Sequence, residues 1–266
     1  MRKDALTMIL ITTVTGVFGA FFRWLENINA FEPDTGLMVP FARTTVFMAA
    51  YLIAMAGLFA ALAFVCTKRF SCERTPDTAL HPSTFAPSLL CKLCGVLMAV
   101  MGVVLMLYAP MQRHPTMERV FAASCIFGGT AVMLLPFRTD GSASGGRGMY
   151  LVPVLFSCIW LVCCYKNNAE NPVIWAFLVE ILAVAVTVMA WYELAAYFYD
   201  RANPFAAVFF VQGAAFMDIT TLADERSAPM TVMFAVHAAL MLMYEFLLVK
   251  NFAPRRRARH ERGGEA

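Results

Sequence analysis

Charge is what this chain is short of. Only 15% of its 266 residues are charged, against about 25% in a soluble domain. No charged residue lies between Thr44 and Thr67, between Leu93 and Gln112, or between Val120 and Phe137. Such runs exclude a water-soluble fold for most of the chain, because ~20 apolar residues match the ~30 Å hydrocarbon layer of a bilayer. Enzyme signatures are absent as well: there is no Walker A loop, no H-E-x-x-H and no G-x-S-x-G. Asp34-Thr35-Gly36 spells the triplet of aspartic proteases, but those enzymes need two such acids sharing a proton. The single copy reads as an Asx-type turn. Nothing in the sequence calls for a cofactor. Nor is there a secreted disulfide framework, since most of the eight cysteines sit in or beside apolar segments. No small-x-small cleavage site follows Met1 to Phe22, so that stretch reads as a retained first span. The two halves show no internal repeat, so an inverted-repeat transporter is permitted but not indicated.

What is present is apolar length. Hydrophobic residues make up 60% of the chain and its mean hydropathy is +0.65. The pattern predicts an all-α integral membrane protein, a bundle of about eight transmembrane helices. The spans fall near 5–22, 43–66, 90–109, 118–137, 149–165, 172–199, 204–222 and 228–250. Residues 1–252 form a single polytopic domain, and 253–266 form a basic tail. The sixth and seventh spans open on Asn171-Pro172 and Asn203-Pro204, an N-cap followed by proline at the first helical position. The loop from Lys68 to Leu89 reads as irregular, with a helix start near Ser88. Gly141 to Gly146 reads as a flexible linker between four spans and four.

Lysine and arginine set the orientation. With both termini cytoplasmic, Arg23, Arg43, Arg113, Arg119, Lys166 and Arg226 fall outside, and the other fifteen of the 21 fall inside. That bias favours an even number of spans in the plasma membrane. The expected partners are the bilayer itself and, at the basic tail, anionic lipid. A nucleic-acid partner is not expected.

Three ionisable residues then stand out, because charge in lipid is costly and needs a reason. By helical rise Glu180 lies ~12 Å in from the outer side, His237 ~13 Å and Asp218 ~6 Å. Glu180 shares a helical face with Ala176, Ala183 and Thr187, and Asp218 shares one with Ala214, Ala215 and Thr221. Small residues mark faces where membrane helices approach closely. One reading makes Glu180, Asp218 and His237 a buried polar site for a cation or a proton relay; the other makes them glue between helices. Glu193, among Trp191, Tyr192, Tyr197 and Tyr199, reads as an interfacial anchor, and Glu245, near Lys250, reads the same way. Cys66, Cys72, Cys91 and Cys94 gather near one rim. They read as free thiols, with zinc binding as the alternative.

Phe31-Glu32-Pro33-Asp34-Thr35-Gly36-Leu37 after a first span, Asn171-Pro172 and Trp191-Tyr192-Glu193-Leu194-Ala195 resemble a group of uncharacterised bacterial multi-pass membrane proteins. The resemblance implies an all-helical membrane bundle and no particular activity. Two functions stay open: a small-molecule or ion carrier, and a non-transporting scaffold, sensor or assembly component. A polar cavity reaching Glu180 distinguishes them.

Overall fold

Long charge-free segments have one economical way to satisfy their backbone in lipid, which is to bond it internally as helix. The computed structural model describes residues 3–32, 37–40, 42–71, 79–80, 85–111, 114–135, 147–169, 171 and 173–254. Eight long helices run through them: α1 Lys3–Asn29, α2 Arg43–Arg69, α3 Phe85–Tyr108, α4 Pro115–Leu134, α5 Arg147–Asn168, α6 Ile174–Ala196, α7 Pro204–Thr220 and α8 Ala228–Asn251. All eight are long and apolar enough to cross a membrane. The architecture is all-helical and compatible with a multi-pass membrane protein. The face where the described chain begins and ends is called the terminal face here, and the opposite one the distal face.

Several helix ends differ from the sequence expectation. α1 continues to Asn29 rather than stopping near Phe22, which carries Arg23 and Glu26 into the helix. α3 starts at Phe85, a turn before Ser88. α7 opens as expected: the Asn203 side chain accepts from the Ala206 N–H at 3.4 Å, with Pro204 first in the helix. α6 does not. Its helix begins at Ile174, and the Asn171 side chain instead accepts from the Val173 N–H at 2.9 Å, closing a turn ahead of it. Between α6 and α7, Asp200 takes a left-handed conformation (φ 56°). Aspartate tolerates that region better than most residues. The turn it makes lets Arg201 N–H reach the Ala196 carbonyl at 3.1 Å.

α7 and α8 form the centre. In their most apolar windows 61% and 72% of residues are buried, against 17% in α2, which lies at the edge. α7 touches α1, α2, α6 and α8, and α8 touches α1, α3 and α7. Outward-facing Leu10, Ile53, Leu107 and Phe127 remain exposed, as lipid contact requires. Lipid tails are as apolar as leucine, so helix association rests on close packing and polar contacts. α3 and α4 show the packing limit. A Cβ on Gly95 would stand 2.6 Å from the Gly129 carbonyl oxygen, and one on Gly129 would stand 2.6 Å from the Gly95 carbonyl oxygen. Only glycine at both positions lets these backbones touch.

At the terminal face the segment after α2 is clasped to the segment after α8. β1 (Phe70–Ser71) pairs antiparallel with β2 (Ala253–Pro254), Phe70 opposite Pro254. Beside them Asn251 Nδ2 donates to the Ala79 carbonyl at 3.0 Å. The Gly141–Gly146 linker, the Asp34-Thr35-Gly36 turn and the basic tail from Arg255 onward lie outside the described residues.

Candidate functional site

Because α1 runs through to Asn29, Arg23 arrives at the distal end of the bundle on a rigid element, with Glu26 on the same face one turn on. Both side chains are buried, at 1% and 0% exposure. Arg23 uses its whole fork. Nη1 bonds Glu26 Oε2 at 2.7 Å, Nε bonds Asp224 Oδ1 at 2.6 Å, and Nη2 bonds the Ala176 carbonyl at 2.7 Å. The other Glu26 oxygen accepts from the indole N–H of Trp175. One guanidinium thereby ties α1 to the start of α6 and to the turn between α7 and α8. A planar five-donor group suits such a three-way junction, where lysine would not reach all three.

A second arginine extends the network. Arg226 Nη2 bonds Asp224 Oδ2 at 2.8 Å and lies 3.8 Å from Glu180 Oε2. Its guanidinium sits over the Phe234 ring, 4.3 Å from the centroid, a favourable placement for a cation. Asp224 is therefore shared by two arginines, and it also accepts from Asn27 Nδ2 at 3.1 Å. Glu180 is at the open edge of this cluster, 17% exposed.

Beside the network lies a cleft of about 470 Å³, within the usual range for small-molecule sites. Its wall includes Glu180, Asp224 and Glu225, the side-chain amides of Asn27, Asn168 and Asn171, and the rings of Trp24, Phe31 and Phe177. Two guanidiniums are paired with Glu26, Glu180 and Asp224, and Glu225 adds a fourth carboxylate to the cleft wall, so negative charge is in excess. With Asp224 and Glu26 held by arginine, the excess falls on the Glu180 and Glu225 side.

The three acids and bases singled out from the sequence do not converge. Glu180 pairs with Arg226. Asp218, fully buried, accepts from Thr187 Oγ1 at 3.3 Å across the α6–α7 contact. Thr187 stands seven residues from Glu180 on α6, about 10 Å along the helix. His237 is buried in an aromatic slot, 4.9 Å from Trp160 and 5.5 Å from Phe156 between ring centroids. Its Nδ1 bonds the Met233 carbonyl at 2.9 Å, and its Nε2 has no protein partner. Neither Asp218 nor His237 lines the distal cleft. Only Glu180 of the three does. The sequence reading overlooked Arg23, Glu26 and Asp224, having counted Arg23 and Arg226 for orientation alone. The i, i+3 spacing of Arg23 and Glu26 was the available signal.

Burial bears on two further expectations. Glu193, three residues from the end of α6, is 9% exposed and so packs against the protein, and of its aromatic neighbours Trp191 and Tyr197 are fully buried while Tyr192 is 55% exposed. Glu245 is fully buried too. It points between α1 and α7 instead of reaching for the membrane surface beside Lys250. Its Oε1 accepts from Thr12 Oγ1 at 3.0 Å and from Gln212 Nε2 at 2.9 Å. Its Oε2 and the Gln212 Oε1 have no partner. The reason is rotational: at position 245 the α8 surface faces α1 and α7, where Thr12 and Gln212 meet it.

Cys66, Cys91 and Cys94 are buried and outside any disulfide, and Cys72 lies outside the described residues. Cys91 Sγ bonds the Val132 carbonyl at 3.5 Å and lies 3.9 Å from the Tyr244 hydroxyl. Among the described residues no group of three or more His, Cys, Asp or Glu side chains is placed to hold a metal ion. No family model matches the chain, and no curated protein and no solved structure is significantly similar to it.

Proposed function

We propose that this protein is a membrane carrier that takes a small cationic solute into the distal cleft. The composition of the cleft wall carries the reading. Excess carboxylate charge and three aromatic residues around about 470 Å³ suit an alkylammonium group, which is recognised by charge and by ring faces together. Glu180 is the counter-ion, because of the two wall acids that belong to the arginine network it is held less tightly, 3.8 Å from Arg226 against 2.6 and 2.8 Å for Asp224. The lysine and arginine bias supports a distal face turned outward and both termini in the cytoplasm. Protease-accessible tags at each terminus test that orientation, and an external C-terminus overturns it.

Tetramethylammonium is the probe for the cleft. Titrated into the protein in lipid nanodiscs, it should give a saturable change in tryptophan fluorescence, since Trp24 is in the wall and Trp175 holds Glu26. Glu180→Gln should abolish the change. An unsaturable response, or one equal in the variant, overturns the reading.

A second reading is favoured by one observation: Asp218 and His237 are sealed in the packed core. That suits a non-transporting sensor or assembly component, in which the cleft binds but nothing crosses. Proteoliposomes that bind tetramethylammonium yet show no counterflow of the labelled cation would select it.

A further inference from the structure

A second polar cluster lies on the terminal half of the same helices, apart from the cleft. Thr12 of α1, Gln212 of α7 and Glu245 of α8 meet with every side chain at 0% exposure. Glu245 is about 9 Å inside the terminal end of α8, and Gln212 about 12 Å inside that of α7. Among the described residues the polar partners of Glu245 are Thr12 and Gln212, both neutral. An ionised carboxylate at such depth with no cation beside it is unfavourable, so it needs a compensating positive charge.

We propose that this charge is an exchangeable proton, and that Glu245 is a proton-binding site positioned by Thr12 and Gln212. The donor pattern favours a proton over a metal cation. Oε1 is already met by two hydrogens, one from the Thr12 hydroxyl and one from the Gln212 amide. The oxygens left without partners are Glu245 Oε2 and Gln212 Oε1. Hard cations take about six oxygen ligands; a proton needs one oxygen to sit on and one to point at. The exchange is simple: water at the terminal face supplies a proton to Oε2, and the same O–H bond breaks to return it.

The neighbouring titratable groups are engaged elsewhere. On α3, Cys91 bonds the Val132 carbonyl and lies beside Tyr244. On α7, Asp218 is held by Thr187. On α1, Arg23 and Glu26 bond each other at the distal end, and Asp4 is eight residues from Thr12, about 12 Å along the helix. On α6, Glu193 lies two residues beyond Trp191, which packs edge-on against Tyr244. None of them is bonded to Glu245.

The helices that meet at Glu245 also build the distal network: α1 carries Arg23 and Glu26, and the α7–α8 turn carries Asp224 and Arg226. Proton uptake at one end therefore acts on the elements that hold the other. This coupling rests on the carrier reading, but the proton site does not.

The test is infrared titration of the protein in nanodiscs. Wild type should show a protonated-carboxyl band that disappears as pH is raised and returns as it is lowered. Glu245→Gln, isosteric and neutral, should lack that band, while Asp218→Asn should keep it. Gln212→Leu, which removes a donor to the ionised form, should shift the midpoint by about one to two pH units. It also serves if Glu245→Gln does not fold. A titrating band that survives in Glu245→Gln, a Gln212→Leu midpoint equal to wild type, or no titrating carboxyl in wild type overturns the proposal. None of these results depends on tetramethylammonium binding, so the two readings fail separately.

Discussion

Arg23→Met removes the cation at the junction of α1, α6 and the α7–α8 turn while keeping an unbranched side chain in its place. Four groups lose a partner or a charge neighbour at once: Glu26, Asp224, the Ala176 carbonyl and, through Asp224, Arg226. Glu26 suffers most. It is 0% exposed and keeps only the Trp175 N–H. Breaking a buried ion pair on one side costs about 3–5 kcal/mol, because the remaining charge is left uncompensated. An exposed pair would cost about 0–1 kcal/mol, so the two cases are well separated. Unfolding in mixed micelles by a denaturing detergent, followed by tryptophan fluorescence, reads the loss directly. A double-mutant cycle identifies its source. Glu26→Gln in the Arg23→Met background removes the stranded charge, so the double variant should be more stable than the sum of the singles predicts by about 2 kcal/mol. A loss below about 1 kcal/mol for Arg23→Met, or strict additivity in the cycle, refutes the reasoning.

Two other outcomes follow from packing. Gly95→Ala and Gly129→Ala should each cost about 1–3 kcal/mol in the same unfolding assay, since the new methyl meets backbone atoms at 2.6 Å. Gly57→Ala, with nothing within 4 Å, should instead gain up to about 1 kcal/mol from helix propensity; equal losses at all three positions would contradict the close-contact account. His237→Phe should cost less than about 1.5 kcal/mol, because a ring of similar size fits between Phe156 and Trp160, and it should leave the tetramethylammonium response intact. Loss of that response would return His237 to the binding site.

The membrane architecture was readable because it follows from counting. A charge-free run of some twenty residues has few alternatives to a spanning helix, and eight such helices are present. Which face of a helix meets which neighbour is a different kind of information. Small residues beside Asp218 rightly turned it inward, yet they did not say that Thr187, rather than Glu180, would be across from it. Arg23 follows an apolar run and so resembled an ordinary flanking charge. Its role depends on α1 extending one more turn and on residues some two hundred positions away. Glu245 sits five residues before Lys250 and resembled a surface pair for the same reason. In both cases local spacing is identical for a residue that reaches water and one that turns into the bundle. The distinction is made by distant helices.

Those distances have a consequence for biosynthesis. Thr12 bonds a residue 233 positions later, and Arg23 one 201 positions later. α1 and α2 are made before α6 through α8, with Arg23 and Glu26 able to offset each other and the Tyr51 hydroxyl of α2 bonding the Thr15 carbonyl. The partners of Thr12 and Asn27, and the Asp224 and Trp175 contacts of the Arg23–Glu26 pair, arrive only with α6 through α8. The clasp between Phe70–Ser71 and Ala253–Pro254 likewise closes only after α8 has been made. The first helical pair must therefore wait in the bilayer, incompletely packed, until α6 through α8 have been made. A chain truncated before α7 would leave that pair exposed to membrane quality control.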